Sequence, residues 1–160
     1  MNEISITPCP AIVRSDVPVS YTFIAGKAME IIMKNNMYNM TSSLEDYLEA
    51  VFIISKQKDN VRITDIAEFL GVSKPSVNRA INTLTQNGYL EHVTYGDIEI
   101  TPQGESYAAN VLRRHKLIKH FLMDTLGVDE KTAENDACQM EHVMSSSTID
   151  KLYEYLERQE

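Results

Sequence analysis

The sequence predicts a mainly α-helical protein in which one β-hairpin separates two groups of helices. Apolar residues recur at intervals of three and four over most of residues 41–157, which is the spacing of amphipathic helices. Residues 89–101 instead alternate apolar and polar positions on both sides of a turn at Gly96-Asp97, which predicts two short antiparallel strands. At 160 residues, 43% of them hydrophobic, the chain suits one compact domain or two small ones that share a core.

Residues 1–40 differ from the rest of the chain. They contain three of the five prolines, few charges and no sustained period of either helix or strand. We therefore expect a disordered extension. Met37 and Met40 leave open that translation starts just before the first predicted helix.

The first strong helix signal begins at residue 41. A serine followed three residues later by an acid, within residues 41–46 (TSSLED), is the capping-box pattern. Apolar positions spaced by three and four then predict a helix that runs to about Lys58.

The next stretch predicts two helices joined by a tight turn. Thr64 is expected to cap the first helix, and Gly71 to end it with a positive φ. Ser73 is expected to cap the second helix, with Pro75 in its first turn. Two helices joined by a three-residue turn that contains glycine are typical of a helix-turn-helix.

The hairpin that follows the helix-turn-helix predicts a wing, and three helices come after it. The sequence thus predicts a winged helix-turn-helix over residues 41–104 and an all-helical domain over residues 105–160. The expected bounds of the last three helices are about Glu105 to Leu126, Asp129 to Ser145 and Ser147 to Glu157.

Composition limits the classes of protein to consider. No apolar run approaches the roughly 18–20 residues that a membrane span needs, so we expect no membrane partner. The amino terminus shows no basic segment followed by an apolar core, so no secretory signal is expected. Because Cys9 and Cys138 lie far apart in the sequence, a disulfide framework is not expected and a reducing cytoplasm is the natural location.

The start of the second helix of the helix-turn-helix predicts a DNA-reading surface. The net charge of −8 weakens a DNA role, but residues 129–160 hold nine acids and three basic residues, whereas residues 73–87 hold no acid. Exposed short polar and cationic side chains at this position suit phosphate and base contacts in the major groove. The predicted DNA-binding residues are Arg62, Thr64, Ser73, Lys74, Pro75, Ser76, Asn78 and Arg79.

A group of acidic, histidine and cysteine residues predicts a metal site. Cys138, Glu141 and His142 are spaced i, i+3 and i+4, so a helix would project a thiol, a carboxylate and an imidazole from one face. Asp46 and Glu49 form an i, i+3 pair on the first helix, and His115 lies in the long helix. Each group alone has an ordinary explanation, such as an acid pair that favours the helix dipole or a solvated histidine.

The combined pattern resembles the metalloregulators of the diphtheria-toxin-repressor family, especially its manganese-transport-regulator branch. The resemblance covers about residues 40–157, in the family's order and spacing. The motifs that carry it are residues 44–49 (LEDYLE), the helix-turn-helix at 66–84, the hairpin and cap at 90–104, and residues 114–117 (RHKL), 127–129 (GVD) and 136–145 (DACQMEHVMS).

The resemblance implies a winged helix-turn-helix DNA-binding domain followed by an all-helical dimerisation domain. It further implies a non-enzymatic repressor that binds double-stranded operator DNA as a homodimer and controls metal-uptake genes when loaded with Mn(II) or Fe(II), with no small-molecule substrate. The family's ligand positions fall on Asp46, Glu49, His115, Cys138, Glu141 and His142.

Several residues depart from the pattern of either branch. The manganese branch has glutamate at the position of Cys138, whereas the iron-type branch has cysteine there but lacks the acids at 46 and 49. Oxygen ligands favour Mn(II) and a thiolate favours softer ions, so we expect Mn(II) first, Fe(II) next, and then Co(II) or Zn(II). Lys119 stands at an ancillary ligand position of iron-type members, which disfavours their second site, and we expect no SH3-like third domain.

Three alternatives remain open from the sequence. The first is a metal-independent winged-helix regulator that responds to an organic ligand or to oxidation of Cys138. The second is a metal-dependent hydrolase, which would need an open coordination position and a general base for which we find no motif. The third is a helix-turn-helix used only for protein contacts.

Overall fold

The computed structural model describes residues 40–92 and 97–158, with the backbone alone at residue 92. The expected extension, apart from Met40, lies outside the described residues, as does most of the predicted wing turn. The described elements are, in chain order, α1 (Ser42–Ser55), α2 (Ile63–Leu70), α3 (Lys74–Gln86), β1 (Leu90–His92), β2 (Ile98–Ile100), α4 (Pro102–His120), a π-helical turn (Phe121–Thr125), α5 (Glu130–Val143) and α6 (Ser146–Glu157).

The predicted turn of the helix-turn-helix is confirmed. Gly71 has a φ of 65°, a left-handed conformation that ends α2 at little steric cost for glycine. The Ser73 side chain accepts a hydrogen bond from the backbone amide of Ser76, and Pro75 lies in the first turn of α3. The buried stripe of α3 consists of Val77, Ala80, Ile81 and Leu84.

Some helix boundaries differ from the prediction because other side chains cap the helices. Thr41 rather than a serine caps α1, which ends at Ser55 before the predicted Lys58. Thr64 does not cap α2, since the amide of Arg62 donates to Asp65 (2.8 Å) and the helix begins one residue before Thr64. Thr101 caps α4 by accepting from the amide of Gly104, so that helix starts at Pro102 rather than Glu105.

The carboxy-terminal helices also differ slightly from their predicted bounds. The long helix is α-helical only to His120 and then widens into the π-helical turn, which ends at Thr125. Asp129 caps α5 as predicted, by accepting from the amide of Thr132, and that helix ends at Val143. Ser145 caps α6 one residue earlier than the sequence indicates.

Two apolar clusters organise the packing. The larger one joins α1, α2, α3, the hairpin and the first half of α4, with Leu48, Ile66, Ile81 and Leu84 fully buried. The smaller one joins the end of α4 to α5 through Ile118, Leu122, Ala133 and Ala137. Helix α4 takes part in both clusters and packs against α1 as well as α5.

The hairpin is attached to the helices at its base. Strands β1 and β2 pair antiparallel, with Leu90 opposite Ile100, and the amide of Ile98 donates to the carbonyl of Val61 (2.9 Å). At the start of α4, a β-carbon on Gly104 would lie 2.1 Å from the carbonyl oxygen of Tyr89. Only glycine allows the helix to approach the hairpin so closely, which fixes α4 against the base of the wing.

The architecture confirms the predicted fold class, a mainly α-helical chain with a winged helix-turn-helix before a set of helices. None of the helices in the described part of the chain combines the length and the apolar character that crossing a membrane requires.

Candidate metal centre and candidate nucleic-acid interface

Four of the six predicted ligands converge on one point between α1 and α5. Asp46, Cys138, Glu141 and His142 each offer one ligand atom, and these atoms all lie within 4.8 Å of one another. Asp46 lies near the start of α1, in the winged-helix part of the chain, and the other three lie on α5. The i, i+3, i+4 spacing on α5 brings its three side chains to the same side of the helix.

The other two predicted ligands lie beside this cluster. His115 on α4 is 2% exposed, and its Nδ1 atom is 2.9 Å from Oε2 of Glu141. Glu49 lies one turn after Asp46 on α1 and is 7% exposed. Its carboxyl group lies close enough to the Glu141 carboxylate for the two groups to interact electrostatically. The structure therefore brings all six side chains into one region, where their role as ligands stays a prediction.

Several buried polar atoms at this point lack a hydrogen bond from any described residue. They include both oxygens of Glu141, Oε1 of Glu49 and both ring nitrogens of His115. The His115 contacts are short, at 2.9 Å to Glu141 and 3.2 Å to Glu134, but they lack hydrogen-bond geometry. Buried carboxylates without hydrogen bonds are destabilising unless a cation compensates them, so the donor set fits a divalent metal ion.

Burial of several carboxyl groups close together raises the pKa of two of them, Glu49 and Glu141. Burial, followed by the nearby Glu141 carboxylate, raises the pKa of Glu49 to about 8. Burial likewise raises the pKa of Glu141 above its usual value. Both side chains hold protons more tightly than solvated carboxyls do, and a bound cation would counteract that effect.

The pKa values of the two histidines are raised as well, because their acidic neighbours outweigh the effect of burial. Burial lowers the pKa of His142, but contacts with Asp46, Cys138 and Glu45 outweigh it and raise the pKa to about 12. Burial also lowers the pKa of His115, and Glu134 and Glu141 together raise it to about 10. Without a cation, both imidazoles are therefore protonated at neutral pH and compensate part of the acidic charge.

Sequence reasoning missed Glu45, which contacts the same histidine as Asp46. Oε2 of Glu45 lies 2.5 Å from Nδ1 of His142, while Oδ1 of Asp46 lies 2.9 Å from Nε2. In the sequence, Glu45 was interpreted only as the acid of a capping box, so its contact with His142 was not predicted. The available signal was its i, i+4 relation to Glu49, which places both carboxylates on one side of α1.

Glu134 was also missed. It lies four residues before Cys138 and seven before Glu141, so it shares their side of α5. Its carboxylate contacts His115 and accepts from Nζ of Lys119 (2.8 Å), which also approaches Glu130 (3.4 Å). Burial raises the pKa of Glu134, but His115 and Lys119 outweigh that effect and lower it to about 2, so this carboxylate is ionised.

The predicted DNA-binding residues lie on the outer face of the helix-turn-helix. Most of them are exposed and Ser76 is half-buried. The Arg79 side chain lies back along its own helix, with Nε donating to the carbonyl of Pro75 (3.4 Å). Arg62 approaches the wing instead, with Nε 3.4 Å from Asp97. No acid lies on α3 to oppose a phosphate backbone.

The fold and the acidic cluster together define a class: winged-helix proteins with a candidate metal centre between the DNA-binding part and the helices that follow. Comparison with known families agrees with this class. The family model described as the iron-dependent repressor N-terminal DNA-binding domain matches residues 39–98. The model described as the iron-dependent repressor metal binding and dimerisation domain matches residues 101–160. The chain belongs to this iron-dependent repressor family.

Individual relatives support the assignment. An HTH-type transcriptional regulator MntR from Lysinibacillus sphaericus is 36% identical over 112 residues, 70% of this chain and 80% of that protein. An uncharacterized HTH-type transcriptional regulator, MJ0568 from Methanocaldococcus jannaschii, is 34% identical over 120 residues, 74% of this chain and 96% of that protein. The predicted resemblance to the manganese-transport-regulator branch is thereby confirmed.

Solved structures show the same fold. The metal-dependent transcriptional regulator MtsR superposes with a TM-score of 0.69 at 30% identity, and the manganese regulator SloR with a TM-score of 0.67 at 27% identity. Each superposition covers 74% of this chain and 55% of the solved chain, so this chain spans about half the length of those proteins. The relatives are transcriptional regulators, which confirms the prediction that this chain is not an enzyme.

Proposed function

We propose that this chain is a transcriptional repressor that binds operator DNA as a homodimer when Mn(II) or Fe(II) occupies the centre between α1 and α5. The observation that carries the proposal is the position of Asp46. It comes from the winged-helix part, yet its carboxylate lies with three α5 ligand atoms within 4.8 Å. An ion bound there holds the two parts in one relative orientation, which is a conformational equilibrium biased by a ligand.

The proposed ligands are Asp46, Glu49, His115, Cys138, Glu141 and His142, and the metal supplies the positive charge that the buried carboxylates lack. Three of these six ligands are carboxylates, which favours Mn(II), while the Cys138 thiolate favours softer ions. We rank Mn(II) first and Fe(II) second, followed by Co(II) or Zn(II). A solved relative is described as a manganese-dependent transcriptional repressor in complex with manganese, and another carries bound Zn2+.

The proposed DNA-binding surface consists of the exposed start of α3 together with Arg62 and Thr64. Residues 41–104 would form the DNA-binding domain and residues 105–160 the metal-binding and dimerisation domain, working in the cytoplasm. Cationic Lys74 and Arg79 suit phosphates or guanine edges, and the side chain of Asn78 suits adenine. The targets would be genes for metal uptake.

A mobility-shift assay on a randomised double-stranded DNA pool tests the proposal. The purified chain is incubated with Mn(II), Fe(II), Co(II) or Zn(II), or with a chelator, and retarded DNA is recovered and reselected. We expect metal-dependent retardation by a dimer, with light scattering on the same samples giving the oligomeric state. Retardation unaffected by chelator would instead support a metal-independent regulator, and no retardation under any condition would exclude the DNA role.

A further inference from the structure

Glu45 lies between a proposed metal ligand and a buried tyrosine. One oxygen of its carboxylate accepts a hydrogen bond from the hydroxyl of Tyr107 on α4. The other oxygen lies 2.5 Å from Nδ1 of His142 on α5. Glu45 is 8% exposed and Tyr107 is buried, so this connection among three helices lies inside the protein.

A role in helix capping does not explain this placement. Glu45 lies in the first turn of α1, where an acid favours the helix dipole from an exposed position. Its carboxylate is instead buried, and burial of an ionised carboxylate is destabilising unless its oxygens receive strong hydrogen bonds. Both oxygens have a partner, which accounts for the burial and assigns each oxygen a different neighbour.

The two nitrogens of His142 face two successive residues of α1. Nδ1 faces Glu45, while Nε2 lies 2.9 Å from Asp46 and 3.4 Å from Oε1 of Glu141. Asp46 and Glu141 belong to the group whose ligand atoms converge, and Glu45 does not. A histidine that binds a metal through one nitrogen commonly donates the proton of the other nitrogen to a carboxylate, which fixes its tautomer and orientation.

We propose that Glu45, held by the Tyr107 hydroxyl, is the positioning residue for His142: it accepts the proton of Nδ1 and leaves Nε2 as the metal ligand. The inference deepens the proposed metal centre and rests on it. Glu45 and Tyr107 do not touch the ion. Their effect is to hold the imidazole with Nε2 directed at the other ligands before the metal arrives.

Tyr107 is suited to hold the carboxylate. Burial, followed by the hydrogen bond to Glu45, raises the pKa of Tyr107, so its hydroxyl keeps its proton and remains a donor. The ring is itself fixed by an edge-to-face contact with Tyr89, with the ring centroids 5.4 Å apart. Tyr89 immediately precedes β1, so this ring contact joins Tyr107 to the base of the wing.

The test uses the whole chain and three variants. Tyr107→Phe removes the hydroxyl and keeps the ring, and Glu45→Gln removes the carboxylate charge and keeps the shape. Tyr89→Phe is the matched control, because it removes a hydroxyl from the neighbouring ring without touching the hydrogen bond to Glu45. Mn(II) affinity is measured by competition with a chelator, the midpoint of metal-free unfolding by calorimetry, and the His142 tautomer by proton–nitrogen NMR of the Zn(II)-loaded protein.

We expect Glu45→Gln to weaken Mn(II) binding by about 10- to 100-fold, the range found for outer partners of metal ligands. Tyr107→Phe should weaken binding by about fivefold, the effect of one hydrogen bond, and Tyr89→Phe should bind as the unaltered chain does. In the unaltered chain the NMR spectrum should show the proton on Nδ1 of His142 and the metal on Nε2.

The contrary outcomes separate this inference from the proposed function. Unchanged Mn(II) affinity in both Tyr107→Phe and Glu45→Gln, with only a lower unfolding midpoint, would show a purely structural role and overturn the inference. Metal on Nδ1 in the unaltered chain would overturn it as well. If the unaltered chain binds neither Mn(II) nor Zn(II), the proposed metal centre falls together with the inference.

Discussion

Glu141 is fully buried, and neither of its carboxylate oxygens receives a hydrogen bond from the described residues. Its neighbours at the same point are Asp46, Glu49 and the two imidazoles of His115 and His142. Without a metal, the site balances its charge with protons. Glu49 has a pKa of about 8, and His115 and His142 have pKa values of about 10 and 12.

Metal binding should therefore release protons. At pH 7 Glu49 and both histidines hold a proton, and each must lose it to coordinate an ion. Because metal and protons compete for the same atoms, affinity should rise as the pH rises. We expect about three protons to be released per ion at pH 7, one from each of these groups. Titration calorimetry in buffers of different protonation enthalpy measures this number, and a binding enthalpy independent of the buffer would contradict it.

Cys138 offers a second test at the scale of one residue. Cys138→Glu replaces a soft thiolate with a hard carboxylate and should shift the ratio of Mn(II) to Zn(II) affinity towards Mn(II) by about tenfold, or about 1.4 kcal/mol. Gln139→Glu adds the same charge at the next, exposed position and serves as the control. Competition experiments with both ions give the ratio, and an unchanged ratio in Cys138→Glu would show that the thiol does not determine selectivity.

At the scale of elements, the sequence predicted the features that depend on local chemistry. Gly71, Ser73 and Asp129 each act as the sequence indicated, because a positive φ or a side-chain cap is set by one residue and its neighbours. The predicted cap of α2 by Thr64 was wrong. The side chain of Asp65 instead accepts a hydrogen bond from the amide of Arg62 at the start of that helix.

Features that depend on tertiary contacts were beyond the sequence. The widening of the long helix into a π-helical turn places Leu122 in the cluster formed with α5, and no periodicity in the chain marks that change. The predicted ligands of α5 were found because they share one helix, whereas Glu45 acquires its partner from a residue 97 positions away. Spacing along one helix is visible in a sequence, but a contact between distant helices is not.

Helix α3 provides a prediction for the proposed DNA surface. Arg79→Ala should weaken DNA binding and lower the salt dependence by about one counterion, because one cationic contact is lost. Arg113→Ala removes the same charge from an exposed position on α4 and should leave DNA binding unchanged. Both variants should keep Mn(II) affinity and unfolding temperature. Mobility shifts at several salt concentrations measure the effect, and equal behaviour of the two variants would argue for a helix-turn-helix that contacts only protein.

At the scale of the whole molecule, α4 joins the two apolar clusters because it packs in both. The proposed metal centre would join the same two parts of the protein a second time, through ligands on α1 and α5. Charge is distributed unevenly around this frame. Residues 129–160 hold nine acids against three basic residues, whereas the first turn of α3 contains no acidic residue. An acidic carboxy-terminal part should be repelled by phosphates and so leave the helix-turn-helix as the surface that approaches DNA.

A substitution of Asp46 tests whether the metal ion only binds to the protein or also joins the winged-helix part to the helices that follow it. Asp46→Ala leaves Cys138, Glu141 and His142 on α5, so the chain should still bind Mn(II), with an affinity lowered by about tenfold or more. The bound ion then no longer contacts the winged-helix part through this residue. At Mn(II) concentrations that saturate the variant, we expect a smaller metal-induced rise in unfolding temperature and a loss of metal-dependent DNA retardation.

Asp136→Ala is the matched control, because Asp136 is an exposed acid of α5 that lies outside the convergent group. That variant should respond to Mn(II) as the unaltered chain does in calorimetry and in the mobility shift. Since both assays are run at saturating metal, weaker affinity alone cannot account for a difference between the two variants. If Asp46→Ala saturated with Mn(II) still retards DNA like the control, the Asp46 carboxylate is not the group through which the ion acts on the winged-helix part.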